Sequence, residues 1–200
     1  MIKVILDPAH AKLVKGKRSP DNRIEEWNWS REILGEIETR LDEIGIPHER
    51  TSYSSEDSGD EIGLTTRCKR ANAIAKSSEF PCIFVSMHIN AAGNGEWKNA
   101  RGWSVFVSPN SSSKSRMLAD LMANSAKNRS ISVRQPDHVH SYWTANFTVL
   151  TKTSMPAVLV ENLFMDNKAD VEILESKEGK ERLRETIIEA ICLYAGIEYN

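Results

Sequence analysis

The amino-acid sequence predicts a single α/β domain whose sheet is mixed but mostly parallel. Short apolar, β-branched runs recur along the chain, and segments with helical periodicity separate them. Runs of this kind are typical of strands that are buried on both faces. A chain of 200 residues has the length of one domain that buries roughly 70% of its unfolded surface. Since no linker, repeat or low-complexity tract interrupts the pattern, residues 1–200 are expected to form one domain.

The first half of the chain alternates strand and helix. The apolar run near the start predicts a strand, and apolar residues spaced by three and four predict the first long helix. Gly45 directly follows that helix and is expected to cap it. A segment rich in Ser, Asp and Gly predicts a mobile surface loop. In order, the expected elements are a strand at 2–7, a helix at 26–44, a short strand at 48–51, the loop at 52–63, a helix at 64–76 and a buried strand at 82–89.

The second half continues the pattern with one interruption. Residues 130–153 show only short extended pieces and polar-aromatic clusters, so they predict no regular element with any clarity. Elsewhere, apolar runs and helical periodicity are again distinct. The expected elements are a strand at 102–107, a helix at 112–129, a strand at 157–161 and helices at 167–174 and 177–194.

Composition excludes several functional classes. With 26 basic and 28 acidic residues, the domain lacks the basic surface that nucleic-acid binding requires. Three widely spaced cysteines form neither a disulfide framework nor a CxxC zinc motif, and Cys82 is expected in the core. No apolar run reaches the ~20 residues of a membrane span. The first residues lack the pattern of a secretory signal, so we expect a protein that is cytoplasmic at synthesis.

Four residues suggest the chemistry of the chain: His10, Glu26, His88 and Glu161. Three of them lie at or just beyond the end of an apolar run, and Glu26 opens the first long helix. In open α/β sheets, functional groups gather at the carboxyl ends of the strands. The sequence therefore predicts a His/Glu/His zinc site with a further carboxylate beside it.

This set of residues has the composition of a catalytic rather than a structural metal site. A catalytic zinc takes three ligands from His, Asp or Glu and keeps a fourth position open for water. Glu161 ends a strand that is otherwise apolar, and burial there would raise its pKa towards the range of a general base. Amide hydrolysis is the expected reaction class, because the departing amine must be protonated.

Each residue also has a structural explanation. A histidine after a strand is often a hydrogen-bonded surface residue, and Glu26 at a helix start is explained by the macrodipole. Glu161 at the end of a strand is explained by pairing with a base. Their joint placement nevertheless favours the metal site. A second pair, His138 and His140, has a spacing that metals use but lacks a third ligand, so a substrate-contacting role for His140 is favoured over a second metal site.

Several motifs in the same order resemble the zinc-dependent N-acetylmuramoyl-L-alanine amidases of the Amidase_3 family. The resemblance spans nearly the whole chain. Leu6-Asp7-Pro8-Ala9-His10 is similar to the family's opening strand and Asp-Pro-Gly-His turn, although Ala9 and Ala11 stand where the family usually has glycine. The other matching segments are Glu26 before Trp27-Asn28-Trp29-Ser30-Arg31-Glu32, Leu64-Thr65-Thr66-Arg67 with Arg70-Ala71-Asn72, Ser86-Met87-His88-Ile89-Asn90-Ala91, and Pro156-Ala157-Val158-Leu159-Val160-Glu161.

The resemblance implies a role for each site residue. His10, Glu26 and His88 would bind one zinc ion, and Glu161 would be the catalytic base. Glu25 adjoins Glu26, and alignment with the following Trp27 favours Glu26. Asn90, within the same signature as His88, is expected to contact substrate together with His140.

The resemblance also implies a substrate and an architecture. The substrate is peptidoglycan, cleaved between the lactyl group of N-acetylmuramic acid and the L-alanine of the stem peptide. The expected fold is a three-layer, phosphorylase/hydrolase-like domain with helices on both faces of the sheet, as in an endolysin catalytic domain. A zinc peptidase acting on another amide and a non-catalytic cell-wall-binding module are the two alternatives.

Overall fold

A computed structural model of the chain describes residues 1–52 and 61–199. Most of the loop expected over 52–63 therefore lies outside the described residues. The strands are β1 (Lys3–Pro8), β2 (His48–Arg50), β3 (Cys82–Asn90), β4 (Ser104–Val107), β5 (Trp143–Thr144) and β6 (Ala157–Phe164). The helices are α1 (Glu26–Ile44), α2 (Leu64–Ser77), α3 (Ser113–Asn128), α4 (Thr148–Thr151), α5 (Lys168–Glu175) and α6 (Lys177–Ala195).

The strands form one sheet of six, in the order β2-β1-β3-β6-β4-β5. The pairs β1–β2, β1–β3, β3–β6 and β4–β5 are parallel, and β4–β6 is antiparallel. The predicted mixed, mostly parallel sheet is therefore confirmed. Because β1, β3 and β6 are adjacent and parallel, their carboxyl ends lie side by side at one edge of the sheet.

Alternation along the strands separates two apolar layers. In β1, Val4 and Leu6 pack in a core that contains residues of α1, α3, α5 and α6. Ile5, between them, packs on the opposite face with residues of α2 and α4. Helices thus cover both faces of the sheet, as expected for strands whose residues are buried on either side.

Short-range signals set the helix ends. Gly45 has the left-handed φ of 77° and closes α1, which confirms the expected cap. Ser112 accepts a hydrogen bond from the backbone N–H of Ser115 at the start of α3. The side chain of Asn167 accepts hydrogen bonds from two backbone N–H groups at the start of α5.

The last strand extends beyond its predicted end. The sequence indicates an end at Glu161, whereas β6 continues to Phe164. Its register with β3 passes from His88 opposite Glu161 to Asn90 opposite Phe164, so β6 contains one extra residue there. Leu163 has a positive φ of 67° at this irregularity. A β-bulge of this kind changes the direction of a strand without ending it, which periodicity alone does not predict.

Two further findings concern the helices and the cysteines of the described residues. None of their helices is both long enough and apolar enough to cross a bilayer. The three cysteines are free and buried, and Cys82 packs in the core on the α2 side of the sheet. In the stretch 130–153, the regular elements are short: β5 has two residues and α4 has four.

Candidate metal centre

Three adjacent strands and one helix bring the four predicted residues to the same edge of the sheet. His10 lies two residues beyond β1, and His88 lies near the carboxyl end of β3. Glu161 lies on β6 directly opposite His88. Glu26 is the first residue of α1, whose N-terminus faces this edge.

The side chains of His10, Glu26 and His88 converge on one point. Each offers a ligand atom within 4.8 Å of the other two. His88 Nδ1 is 3.0 Å from Glu26 Oε1, and His10 Nε2 is 3.6 Å from Glu26 Oε2. The two imidazole rings are nearly perpendicular, with centroids 5.2 Å apart. Nitrogen and oxygen donors this close together suit a single divalent cation.

Glu26 is a buried carboxylate with one unused oxygen. Its side chain is 1% exposed, and Oε1 accepts hydrogen bonds from His88 Nδ1 and from the backbone N–H of Ile89. Oε2 is buried and has no hydrogen-bond partner. Burial alone would raise the pKa of Glu26, but the hydrogen bond from His88, with the charges of both histidines, lowers it on balance. A buried oxygen without a donor is costly, and a cation bound between the histidines would satisfy it.

The pKa values of the two imidazoles shift in opposite directions. Burial, assisted by the charges of His88 and Lys17, lowers the pKa of His10. Burial also acts to lower the pKa of His88, but its contact with Glu26 outweighs this and raises the pKa on balance. Metal binding requires neutral imidazole, so the lowered pKa of His10 favours metal binding, whereas the raised pKa of His88 opposes it.

Glu161 stands beside this cluster as a carboxyl group with a raised pKa. Its Oε2 is buried without a hydrogen-bond partner. Burial, together with the negative charge of Glu26, raises the pKa of Glu161 to about 7, against the opposing effects of His88 and Lys17. A carboxyl group with a pKa near neutrality can both accept and return a proton.

The cluster opens onto a small cavity of about 230 Å³. One wall is polar and contains the metal-site histidines and Glu161. The rest of the lining is largely apolar and comes from α2, from α4 with the residue before it, and from β6. The lining residues are His10, Lys17, Leu64, His88, Phe147, Thr148, Val149, Leu159 and Glu161. Lys17 was not identified from the sequence, where it is one of several basic residues in a polar loop and carries no distinguishing signal.

Asn90 and His140 do not line this cavity in the described part of the chain. Asn90 ends β3, and its Oδ1 accepts a hydrogen bond from the N–H of Ala91. His140 is exposed and pairs with Asp137 at 2.9 Å. Among residues 1–52 and 61–199, the one cluster of at least three metal-ligating side chains is that of His10, Glu26 and His88. Substrate contact by Asn90 and His140 stays a prediction.

A half-buried arginine fixes the turn that carries His10. Arg31 on α1 donates hydrogen bonds to the carbonyl oxygens of Ala9 and His10, both at 2.6 Å. His10 itself has a left-handed φ of 39°, a conformation that is strained for a residue with a side chain. The alanines on either side are buried. The hydrogen bonds from Arg31 thus stabilise a turn for which the sequence offers no glycine.

Comparison with known proteins identifies a matching family and several relatives in sequence. The model of the Amidase_3 family, described as N-acetylmuramoyl-L-alanine amidase, matches residues 4–192. An endolysin of Bacillus phage SPP1 is 35% identical over 113 residues, which is 56% of this chain and 38% of the relative. The N-acetylmuramoyl-L-alanine amidase CwlM of Bacillus licheniformis is 27% identical over 180 residues, 88% of this chain and 62% of the relative. The chain thus spans less than two thirds of the length of these relatives.

Solved structures share the fold over nearly the full chain. An N-acetylmuramyl-L-alanine amidase from Mycobacterium smegmatis superposes with a TM-score of 0.83 at 18% identity, covering 98% of this chain and 97% of the other. An N-acetylmuramoyl-L-alanine amidase from Clostridium difficile superposes with a TM-score of 0.80 at 23% identity. The match covers 99% of this chain and 98% of the other. The architecture is therefore common to these proteins.

Proposed function

Because the chain belongs to the Amidase_3 family of N-acetylmuramoyl-L-alanine amidases, we propose that it hydrolyses the lactyl–L-alanine amide of peptidoglycan. One observation carries the proposal: His10, Glu26 and His88 converge within 4.8 Å, next to a carboxyl group of raised pKa at Glu161. We further propose that residues 1–200 form one catalytic domain and that the protein acts on the cell wall, as an endolysin does.

Zinc is the proposed cation, held by His10, Glu26 and His88. Two imidazoles and one carboxylate match the ligand types that catalytic zinc takes. The unpaired Oε2 of Glu26 supports a cation at this position. When bound, Zn²⁺ polarises a carbonyl oxygen and lowers the pKa of water to about 7.

Glu161 is proposed as the general base and acid. It accepts a proton from the attacking water as the new C–O bond forms at the lactyl carbonyl carbon. It then delivers that proton to the amide nitrogen of L-alanine as the C–N bond breaks. The products are a lactyl carboxylate on the sugar and a stem peptide with a free amino terminus. The position of Glu161 opposite His88 on the neighbouring strand supports this role.

The cavity provides room for the substrate around the reacting bond. Its apolar wall, which includes Leu64, Phe147 and Val149, suits aliphatic parts of the substrate, such as the lactyl and alanyl methyl groups. Lys17 adds one positive charge to the lining, which suits the carboxylate of an acidic stem peptide. Substrate contacts by Asn90 and His140 would lie outside this cavity.

Digestion of purified peptidoglycan tests the proposal directly. Mass spectrometry of the products should reveal free lactyl carboxylates on the glycan and intact stem peptides that begin with alanine. Shortened peptides still attached to the glycan would instead identify a zinc peptidase. Binding to cell walls without any cleavage would identify a non-catalytic module. Metal analysis of the purified protein should find one zinc per chain.

A further inference from the structure

His10 contacts a second carboxylate, Glu61, on the side of its ring away from Glu26. Nδ1 of His10 lies 2.9 Å from Glu61 Oε1, whereas Nε2 lies 3.6 Å from Glu26 Oε2. Since a carboxylate oxygen accepts hydrogen bonds, this short contact favours the tautomer whose ring hydrogen lies on Nδ1 and points to Glu61. The lone pair of Nε2 is then directed towards Glu26 and His88.

Glu61 is itself held in place by a buried arginine. Nη2 of Arg67 is 3.3 Å from the same Oε1 of Glu61, and the side chain of Arg67 is 3% exposed. Nη1 of Arg67 donates to the carbonyl oxygen of Pro8 at 2.8 Å and lies 3.4 Å from Asp7 Oδ2. One guanidinium therefore fixes both the carboxylate of Glu61 and the end of β1, from which His10 follows.

The carboxylate of Glu61 lies outside the cluster of ligand atoms. Among the described residues, that cluster consists of His10, Glu26 and His88. The side chain of Glu61 is one-third exposed, in contrast to the fully buried Glu26. Its contact is with the histidine rather than with the point at which the donors meet.

We propose that Glu61 is a positioning residue for the metal centre, which fixes the tautomer and ring orientation of His10 so that Nε2 faces the cation. Metal-bound histidines commonly donate their second N–H to a carboxylate, and removal of that partner typically lowers metal affinity about 10- to 100-fold. The inference rests on the proposed metal site and deepens it. It assigns a role to a side chain that lies outside the cluster of ligand atoms.

Zinc affinity of the full chain tests the inference. Glu61→Ala, Glu61→Gln, His88→Ala and wild type are compared by competition for zinc with a chromophoric chelator. Glu61→Ala should bind zinc about 10- to 100-fold more weakly than wild type. Glu61→Gln keeps an acceptor oxygen, so its affinity for zinc should be close to that of wild type. Glu96→Ala is the matched control. Glu96 is exposed, pairs with Lys98 at 3.0 Å and does not belong to the ligand cluster, so this variant should bind zinc as tightly as wild type does.

A second measurement reports the tautomer without any metal. In the metal-free protein, long-range ¹H–¹⁵N NMR spectra should show His10 with hydrogen on Nδ1 in wild type and in Glu61→Gln. In Glu61→Ala, the signal should move towards the Nε2–H form. This readout does not depend on activity, and a merely structural role of Glu61 would not change it.

The outcomes separate this inference from the metal site itself. If His88→Ala loses zinc binding while Glu61→Ala binds as tightly as wild type, Glu61 has no positioning role. Equal losses in Glu61→Gln and Glu61→Ala would overturn the hydrogen-bond assignment. If His88→Ala still binds zinc as tightly as wild type, the proposed metal site fails, and the inference about Glu61 fails with it.

Discussion

His88 and Glu161 lie directly opposite each other on the neighbouring parallel strands β3 and β6. Adjacent strands are about 4.8 Å apart, and residues in register point to the same face. The backbone ladder therefore places a proposed metal ligand next to the proposed base, without help from a flexible loop. Immediately beyond this pair the register shifts, and Asn162 donates from Nδ2 to the carbonyl oxygen of His88 at 3.1 Å.

Replacement of Glu161 by glutamine should remove hydrolysis but preserve zinc binding. Glutamine retains the size of the side chain and cannot take up the proton, so turnover of peptidoglycan should fall about 10²- to 10⁴-fold. Zinc content, measured by metal analysis, should match that of wild type. Glu79→Gln serves as a control, since Glu79 is exposed and precedes the opposite end of β3. Full activity in Glu161→Gln would refute the assignment of the base.

Zinc should stabilise the wild-type protein against unfolding, and His88→Ala should lose this effect. A ligand at 100 times its dissociation constant adds about 2.7 kcal/mol to the free energy of unfolding when it binds only the native state. Thermal melts with and without added zinc, after removal of metal by a chelator, measure the shift in Tm. An equal shift in His88→Ala would place the cation elsewhere.

The metal-free protein should lose stability as the pH rises towards neutrality because of Glu161. Burial raises the pKa of this group from 4.5 to about 7, so between these values the native state holds more protons than the unfolded state. The free energy of unfolding then falls with increasing pH. Chemical denaturation of Glu161→Gln and wild type from pH 4.5 to 8 should show a stability difference that grows in favour of the variant up to about pH 7 and then levels off. A difference independent of pH would contradict the raised pKa.

Replacement of Arg67 by alanine should lower the free energy of unfolding of the whole domain. Arg67 is buried beside Asp7, whose other contacts are the hydroxyl groups of Ser86 and Thr51. Loss of one partner leaves a buried charge unpaired, which typically costs about 3–5 kcal/mol. Urea denaturation measures the change in free energy of unfolding. Arg40→Ala is the control, because its exposed pair with Glu43 should be worth at most about 1 kcal/mol.

Much of the fold follows from local features of the sequence. The apolar runs of β1, β3 and β6 predict the buried strands, and the parallel order places their carboxyl ends together. The periodicity before Gly45 predicts α1 from Glu26 to Ile44 as the structure has it. The mixed sheet with helices on both faces is confirmed, and the structure brings His10, Glu26 and His88 together as the motifs indicate.

Other features depend on contacts that no local pattern records. Glu61 meets His10 across 51 residues of sequence, and Arg67 reaches Pro8 across 59. The bulge at Leu163 extends β6 past Glu161, and α4 supplies part of the cavity wall from a stretch that has no clear periodicity. Periodicity and capping are determined by neighbours within a few residues, so the sequence alone determines most of the elements and the edge at which the ligands meet. The second partner of His10, the strained turn and the cavity wall were decided by tertiary packing, because their hydrogen bonds and contacts form only when distant segments are brought together.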